Sequence, residues 1–322
     1  MQTFSGLEWI KIDVANRFGK DKMLWQERID WFNFNEHQLD SLADRADKPI
    51  LYRKALRAYH KALRGEPINH PIALDSTASG IQIMAILMRC ETTAKNVNLI
   101  NTGKREDVYA KVGNTMGESR DTVKKPIMTY MYGSVAQPKA VFGTGTPALA
   151  AFHSALSTEL PGAVRCMRIM QKCWKPDATH HEFTAPDGHT AYVPVMVQEK
   201  QRIKLGDISF THTANVLGKE KKGLSLAANA THLFDGYIVR EMIRKADEQG
   251  FEILTIHDDF ACLPNHVNKM RRNYLDIVID MAKRPLLVNW YNELNGTNLV
   301  DIPQTEIDTF VSQLHDSEYF LS

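Results

Sequence analysis

Two aspartates far apart in the chain carry the most chemistry. Asp75 closes the apolar run "HPIALD" (70–75), and Asp258 sits between the apolar runs of "LTIHDDFACLP" (254–264), next to a second acid, Asp259. Neighbouring carboxylates repel, and each resists ionising beside the other. A solvated turn would tolerate that, since Asp is a common turn residue. A divalent cation would convert the repulsion into binding. If the strands ending at Asp75 and Asp258 pair, their carboxylates meet. They could then hold two Mg²⁺ ions roughly 3.5–4 Å apart, an arrangement suited to phosphoryl transfer. Mg²⁺ takes only one or two protein carboxylates and fills its shell with phosphate and water, so two aspartates suffice. The plain alternative for Asp75 is a helix N-cap at the head of "DSTASG", which gives Asp258 no part.

A second pattern lies in "ESRDTVKKPIMTYMYGS" (118–134). Arg120, Lys124, Met128 and Tyr132 recur every four residues and form a stripe on a helix. At about 1.5 Å per residue, Arg120 and Lys124 lie roughly 6 Å apart along the axis, with Tyr132 about 12 Å further on. A triphosphate fits the first two, with sugar and base toward Tyr132. A solvated basic edge is the alternative. Pro126 predicts a kink, because interior proline costs around 3 kcal/mol.

The surrounding elements must position these groups. Residues 7–65 read as helices with polar breaks, 72–75 as a buried strand and 79–90 as a helix apolar nearly all round. Helices are predicted over 104–118 and 119–132, and a helix-rich stretch over 146–174. Residues 182–217 alternate β-branched and polar residues around "PDG" and "LGD" and predict antiparallel strands. "GKEKKG" (218–223) reads as an exposed loop, 229–250 as a long helix closed by Gly250, and 265–283 as another helix. The end, "LHDSEYFLS", reads as a mixed tail.

Composition sets outer limits. The chain has 322 residues, 43% of them hydrophobic and 24% charged, with a net charge of +1. That allows one large or two closely joined domains. A purely electrostatic nucleic-acid binder is usually more basic, so any such role rests on local patches. Four scattered cysteines without a C-x-x-C pair predict reduced thiols and a cytoplasmic setting. The start of the chain lacks the pattern of a signal peptide, and no apolar run reaches the roughly 18 residues of a membrane span.

With these residues in view, a resemblance emerges. "DSTASGIQ" (75–82), "RDTVKKPIMTYMYG" (120–133) and "IHDDF" (256–260) resemble motifs A, B and C of the bacteriophage-type single-subunit RNA polymerases, in order and with their internal spacing. "WIKIDVANRFGKDKMLWQERI" (9–29) resembles the segment just before motif A. "TAPDGHTAYVP" and "NATHLFDG" resemble stretches of the fingers, and "SEYFLS" the short C-terminal foot.

The resemblance implies an α+β fold: a palm of a small antiparallel sheet with helices, and a largely helical fingers subdomain. Residues 1–103 would form the first part of the palm. Residues 104–232 would form the fingers, with a β-hairpin near 190–213, and 233–322 the rest of the palm and the foot. It implies a DNA-directed RNA polymerase that joins NTPs to an RNA 3′ end with two Mg²⁺ ions. Asp75 and Asp258 would be the catalytic, metal-binding acids, with the Ser76 carbonyl a further ligand. Asp259 replaces the small residue often found there, which leaves open which neighbouring acid binds metal; the motif register favours Asp258. Arg120 and Lys124 would hold the triphosphate, with Lys22 a further phosphate contact. Tyr132 and Gly133 match the pair that reads sugar and base pair, and His232 a histidine near the 2′-hydroxyl. Arg202 and Lys204, near the turn of a hairpin like the family's promoter reader, would contact DNA or stand as solvated charges.

Family A DNA polymerases share the Arg, Lys and Tyr-Gly spacing. They carry a glutamate where this chain has Gly80 and commonly an aromatic residue where it has Met128, so both positions point to ribonucleotides. An HD-type phosphohydrolase would use His257-Asp258 on helices with further histidines, and a non-catalytic DNA-binding subunit has no need of Asp75, Lys124, Tyr132 and Asp258 together. The family's promoter-binding domain, thumb and template-gripping "D/T-x-x-G-R" motif have no counterpart here. This resembles the split, two-chain phage enzymes and implies a second polymerase polypeptide, paired through an exposed apolar surface. Template DNA and product RNA would be the nucleic-acid partners, and the host bacterial cytoplasm the location.

Overall fold

The computed structural model describes residues 1–218 and 224–322. Most of the anticipated loop at 218–223 therefore lies outside the described residues. The chain opens with helices α1 (Gly6–Ala15), α2 (Trp25–Asn35) and α3 (Pro49–Leu63). A capping box starts α1: the Ser5 hydroxyl accepts from the Glu8 amide (3.2 Å) and Glu8 Oε2 accepts from the Ser5 amide (2.7 Å). Strand β1 (Ile72–Asp75) leads into α4 (Ser79–Met88), α5 (Glu91–Asn96), α6 (Val108–Met116), α7 (Arg120–Met131) and α8 (Ala136–Phe142). Next come α9 (Pro147–Glu159), α10 (Pro161–Lys172), and strands β2 (His180–Thr184), β3 (Thr190–Pro194), β4 (Met196–Leu205) and β5 (Ile208–Leu217). The chain closes with α11 (Leu224–Glu248), β6 (Leu254–Ile256), β7 (Asp259–Cys262), α12 (Val267–Lys283), α13 (Leu286–Asn295) and α14 (Gln304–Leu314). This is the anticipated α+β mixture of helices and small antiparallel sheets.

The helix over 120–131 runs unbroken through Pro126, which is buried. Thr129 Oγ1 accompanies it by donating to the Lys125 and Pro126 carbonyls at 3.0 and 3.2 Å. The antiparallel strands expected around "PDG" and "LGD" form two hairpins, β2–β3 and β4–β5, and the second is the one expected near 190–213. The tail after Leu314 holds turns and the isolated Ser76–Leu321 bridge, in keeping with a mixed tail, and α13 and α14 fill the stretch before it that the sequence left unassigned.

The central sheet has the order β1-β7-β6 and is antiparallel. Leu74 pairs with Phe260 and Asp75 with Asp259, so one face is apolar and buried while the other carries acids. Burying apolar area at about 25 cal/mol per Å² fixes that register, because a one-residue slip would turn both acids into the core. Helix α1 packs against β1 and α12 against β7, while α4, which follows β1, is buried from Ser79 to Leu87 among helices.

The β4–β5 ribbon contrasts with this core. Its register puts Ile203, Leu205, Ile208 and Phe210 on one face, all exposed, and Lys200, Arg202, Lys204, Ser209 and Thr211 on the other.

Candidate active site

Asp75 is the last residue of β1, and its backbone is held from both sides. Its carbonyl accepts the Ser322 amide (3.0 Å), and the next amide, Ser76 N–H, donates to the Asp258 carbonyl (3.0 Å). The tail lies alongside as a bridge between Ser76 and Leu321, and the Thr77 amide donates to the Phe320 carbonyl (3.0 Å). Gln82, fully buried, ties the layers together: its Nε2 donates to the Val97 and Phe320 carbonyls, and its Oε1 accepts from Ser76 and Tyr274 hydroxyls.

Asp258 sits in the two-residue turn joining β6 and β7. His257, before it, has φ +56°. That left-handed conformation costs a non-glycine residue of order 1 kcal/mol. Across the turn, Asp75 and Asp258 face one another closely enough to perturb titration. Burial first, then Asp258 and Asp259, pushes the Asp75 carboxyl up to about 6. Burial and Asp258 push Asp259 up as well, against the pull of Arg17.

The basic stripe faces these acids. Ser119 caps α7 by accepting the Thr122 amide (3.2 Å), which sets the start of the helix. Asp107 caps α6 through the Tyr109 and Ala110 amides (3.1 Å each), and its other oxygen accepts Arg120 Nε at 2.7 Å. Burial alone would raise Asp107, but the Arg120 and Ala110 hydrogen bonds hold it below the usual carboxylate range. Arg120 and Lys124 both lie over the Tyr109 ring, 5.6 and 5.9 Å from its centroid. Gly133, at φ +91°, ends the helix with its amide on the Tyr130 carbonyl. Tyr132 is left stacked on His232, 5.0 Å between centroids and 7° between planes. A Cβ at Gly80 would come within 2.6 Å of the Tyr132 hydroxyl.

A cavity of about 490 Å³ gathers these groups: Lys22, Asp75, Ser76, Gly80, Arg120, Lys124, Met128, Tyr132, His232, His257 and Asp258 all line it. Gly133 and Asp259 do not line it, and neither do Arg202 and Lys204, which stand on the polar face of the β4–β5 ribbon. Lys22 is paired with Asp21 at 3.0 Å.

Several further lining residues escaped the sequence reading, among them Arg105, Glu106, Asp107, Tyr109 and Asp235. Asp235 follows His232 by one helical turn on α11, a spacing that would have flagged it. Burial and Asp258 push its carboxyl up to about 6. Arg105 lies in a loop without periodicity and left no such signal.

Among the described residues, no three His, Cys, Asp or Glu side chains converge into a full protein cage for a metal. The donors present are two facing carboxylates and the Ser76 carbonyl, which accepts no hydrogen bond among the described residues. That set fits Mg²⁺, which leaves most of its shell to phosphate and water. None of the described helices is long and apolar enough to cross a membrane.

Residues 2–138 match the family model for DNA-dependent RNA polymerase. The DNA-directed RNA polymerase 2B, chloroplastic/mitochondrial, of Nicotiana tabacum is 24% identical over 88% of this chain and 34% of its own length. The DNA-directed RNA polymerase of Pseudomonas phage phiKMV is 22% identical over 88% and 43%. That of Enterobacteria phage K11 is 23% identical over 97% and 44%. The chain thus spans less than half the length of these relatives. It is similar to DNA-directed RNA polymerases of phages and organelles alike, and the family match over residues 2–138 runs through Asp75, Arg120, Lys124 and Tyr132.

Proposed function

We propose that this chain carries the nucleotidyl-transfer centre of a DNA-directed RNA polymerase and adds NTPs to an RNA 3′ end on a DNA template. The observation that carries the reading is the single cavity in which an acid pair from two strand ends faces a four-residue basic and aromatic stripe. Asp75, Asp258 and the Ser76 carbonyl would hold two Mg²⁺ ions. Bound there, Mg²⁺ supplies a 3′-oxygen of lowered pKa and charge compensation for the departing pyrophosphate.

The other steps belong to the protein. Arg120 and Lys124 bind the triphosphate, with Lys22 beside them, and fix its α-phosphorus in line with the acids. The Tyr132–His232 stack forms a flat wall for sugar and base, with Gly133 letting the chain turn away. Gly80 leaves the ribose 2′ side open, which favours NTP over dNTP. Asp75 and Asp258 orient the reacting oxygens by position and transfer no proton. Arg202 and Lys204 offer a ribbon face to template or promoter DNA, a physically reasonable mode of reading. The HD-hydrolase alternative finds less support, since His257 and Asp258 lie in a strand turn rather than on helices and no third His, Cys, Asp or Glu joins them among the described residues.

The test is extension of an RNA primer on single-stranded DNA with Mg²⁺, run beside calorimetric binding of Mg²⁺-NTP. Template-directed extension with NTP preferred over dNTP is expected. Neither extension nor Mg²⁺-dependent NTP binding would refute the reading.

A further inference from the structure

The cavity holds four cations, and their partners differ. Arg120 is bound to Asp107 and Lys22 to Asp21. Lys124 rests on Tyr109. Arg105 is partly buried in the wall, and among the described residues its one hydrogen bond runs from Nε to Ser322 Oγ (2.9 Å). No carboxylate lies within ion-pair distance of it among the described residues, although the fields of Asp21, Asp107 and Asp75 all reach it. The contrast with the buried arginines Arg28 and Arg271 is sharp, since each of those has three or more acceptor contacts.

A guanidinium drawn out of water without its acceptors is costly. Burial pulls the Arg105 pKa down for that reason. The Ser322 contact occupies the Nε edge and leaves the terminal Nη groups, a rigid planar fork whose geometry matches phosphate oxygens.

We infer that Arg105 is a phosphate-binding residue of this site, closing its terminal guanidinium nitrogens on the incoming triphosphate and on the pyrophosphate that leaves, with Ser322 holding the fork in place. The inference rests on the nucleotidyl-transfer reading for the identity of the anion. It gives Arg105 a binding role in both directions of the reaction, because the same oxygens are present in NTP and in pyrophosphate.

The experiment measures calorimetric pyrophosphate binding and primer-extension kinetics for wild type, Arg105→Gln and Arg105→Lys. Arg105→Gln is expected to weaken pyrophosphate binding and raise the NTP KM by about tenfold each, the size of one lost charge-assisted contact of about 1.4 kcal/mol. Its kcat falls less than threefold, and binding of a nucleoside monophosphate stays unchanged. Arg105→Lys, keeping charge but not the fork, recovers part of the loss. Pyrophosphate affinity and NTP KM both within twofold of wild type in Arg105→Gln overturn the inference. If Arg105→Gln does not fold, Arg105→Lys decides: a KM raised threefold or more supports the role, and an unchanged KM overturns it. The two readings fail differently. A wild type that extends no primer, yet loses pyrophosphate binding on Arg105→Gln, sinks the polymerase reading and keeps the anion site. A wild type that extends normally beside an indifferent Arg105→Gln sinks the anion site alone.

Discussion

Two charged clusters in this molecule have opposite characters. Around Arg271 every charge finds a neighbour. The guanidinium is fully buried, donates to the Gln2 and Glu318 carbonyls and to Glu318 Oε1, and lies 5.4, 5.0 and 5.9 Å from the Trp9, Trp25 and Phe320 rings. In the cavity, by contrast, burial first and Asp258 second push both Asp75 and Asp235 up to about 6. The first cluster fastens both chain ends to helix α12. The second stays costly until a ligand enters. The difference separates groups that hold the fold from groups that wait for substrate.

That contrast can be broken most sharply at the acids. Asp75→Ala and Asp258→Ala are each expected to lower primer extension at least about a thousandfold, roughly 4 kcal/mol of barrier, with no loss of melting temperature. In the satisfied cluster, Arg271→Ala should do the reverse. It strands Glu318 and costs about 3–5 kcal/mol in denaturant unfolding.

The pH dependence sharpens the same point. A carboxyl whose folded pKa lies above its unfolded value binds more protons when folded. The metal-free protein should therefore lose stability as pH rises from about 4 to about 6 through Asp75 and Asp235. Asp235→Asn flattens part of that slope in a series of thermal melts. Mg²⁺ should raise the melting temperature more at pH 7 than at pH 5, since it binds the ionised acids.

Smaller effects follow at the turn and the ribbon. His257→Gly relieves the left-handed backbone and should stabilise by about 1 kcal/mol while lowering activity, because Asp258 is then less firmly aimed. Lys204→Ala should leave stability within about 0.5 kcal/mol. It should reduce the salt-dependence slope of DNA binding by about 1, read from affinities across a salt series.

The chain showed its local features in sequence and hid its long-range ones. Strand β1, helix α4, the α7 stripe and the β6–β7 turn were legible because alternation, apolar runs and four-residue spacing are local. The pairing itself was not: the sequence set the strands ending at Asp75 and Asp258 side by side, whereas β7, which follows Asp258, lies between them and pairs with β1. The contacts of the tail were not legible, since Ser322 meets Asp75 and Arg105 across more than 200 residues with no periodic mark. Arg105 and Asp107 sit in a loop whose worth depends on what folds against it. Pro126 misled for the same reason: its local cost is real, and burial of the helix around it outweighs that cost.

Gly80 carries one more consequence. A methyl group there would strike the Tyr132 hydroxyl, and Tyr132 is stacked on His232. Any replacement at position 80 must therefore dislodge an aromatic pair belonging to two other helices. On the proposed reading of the site, Gly80→Ala is therefore expected to disturb the Tyr132–His232 stack together with sugar choice, rather than sugar choice alone.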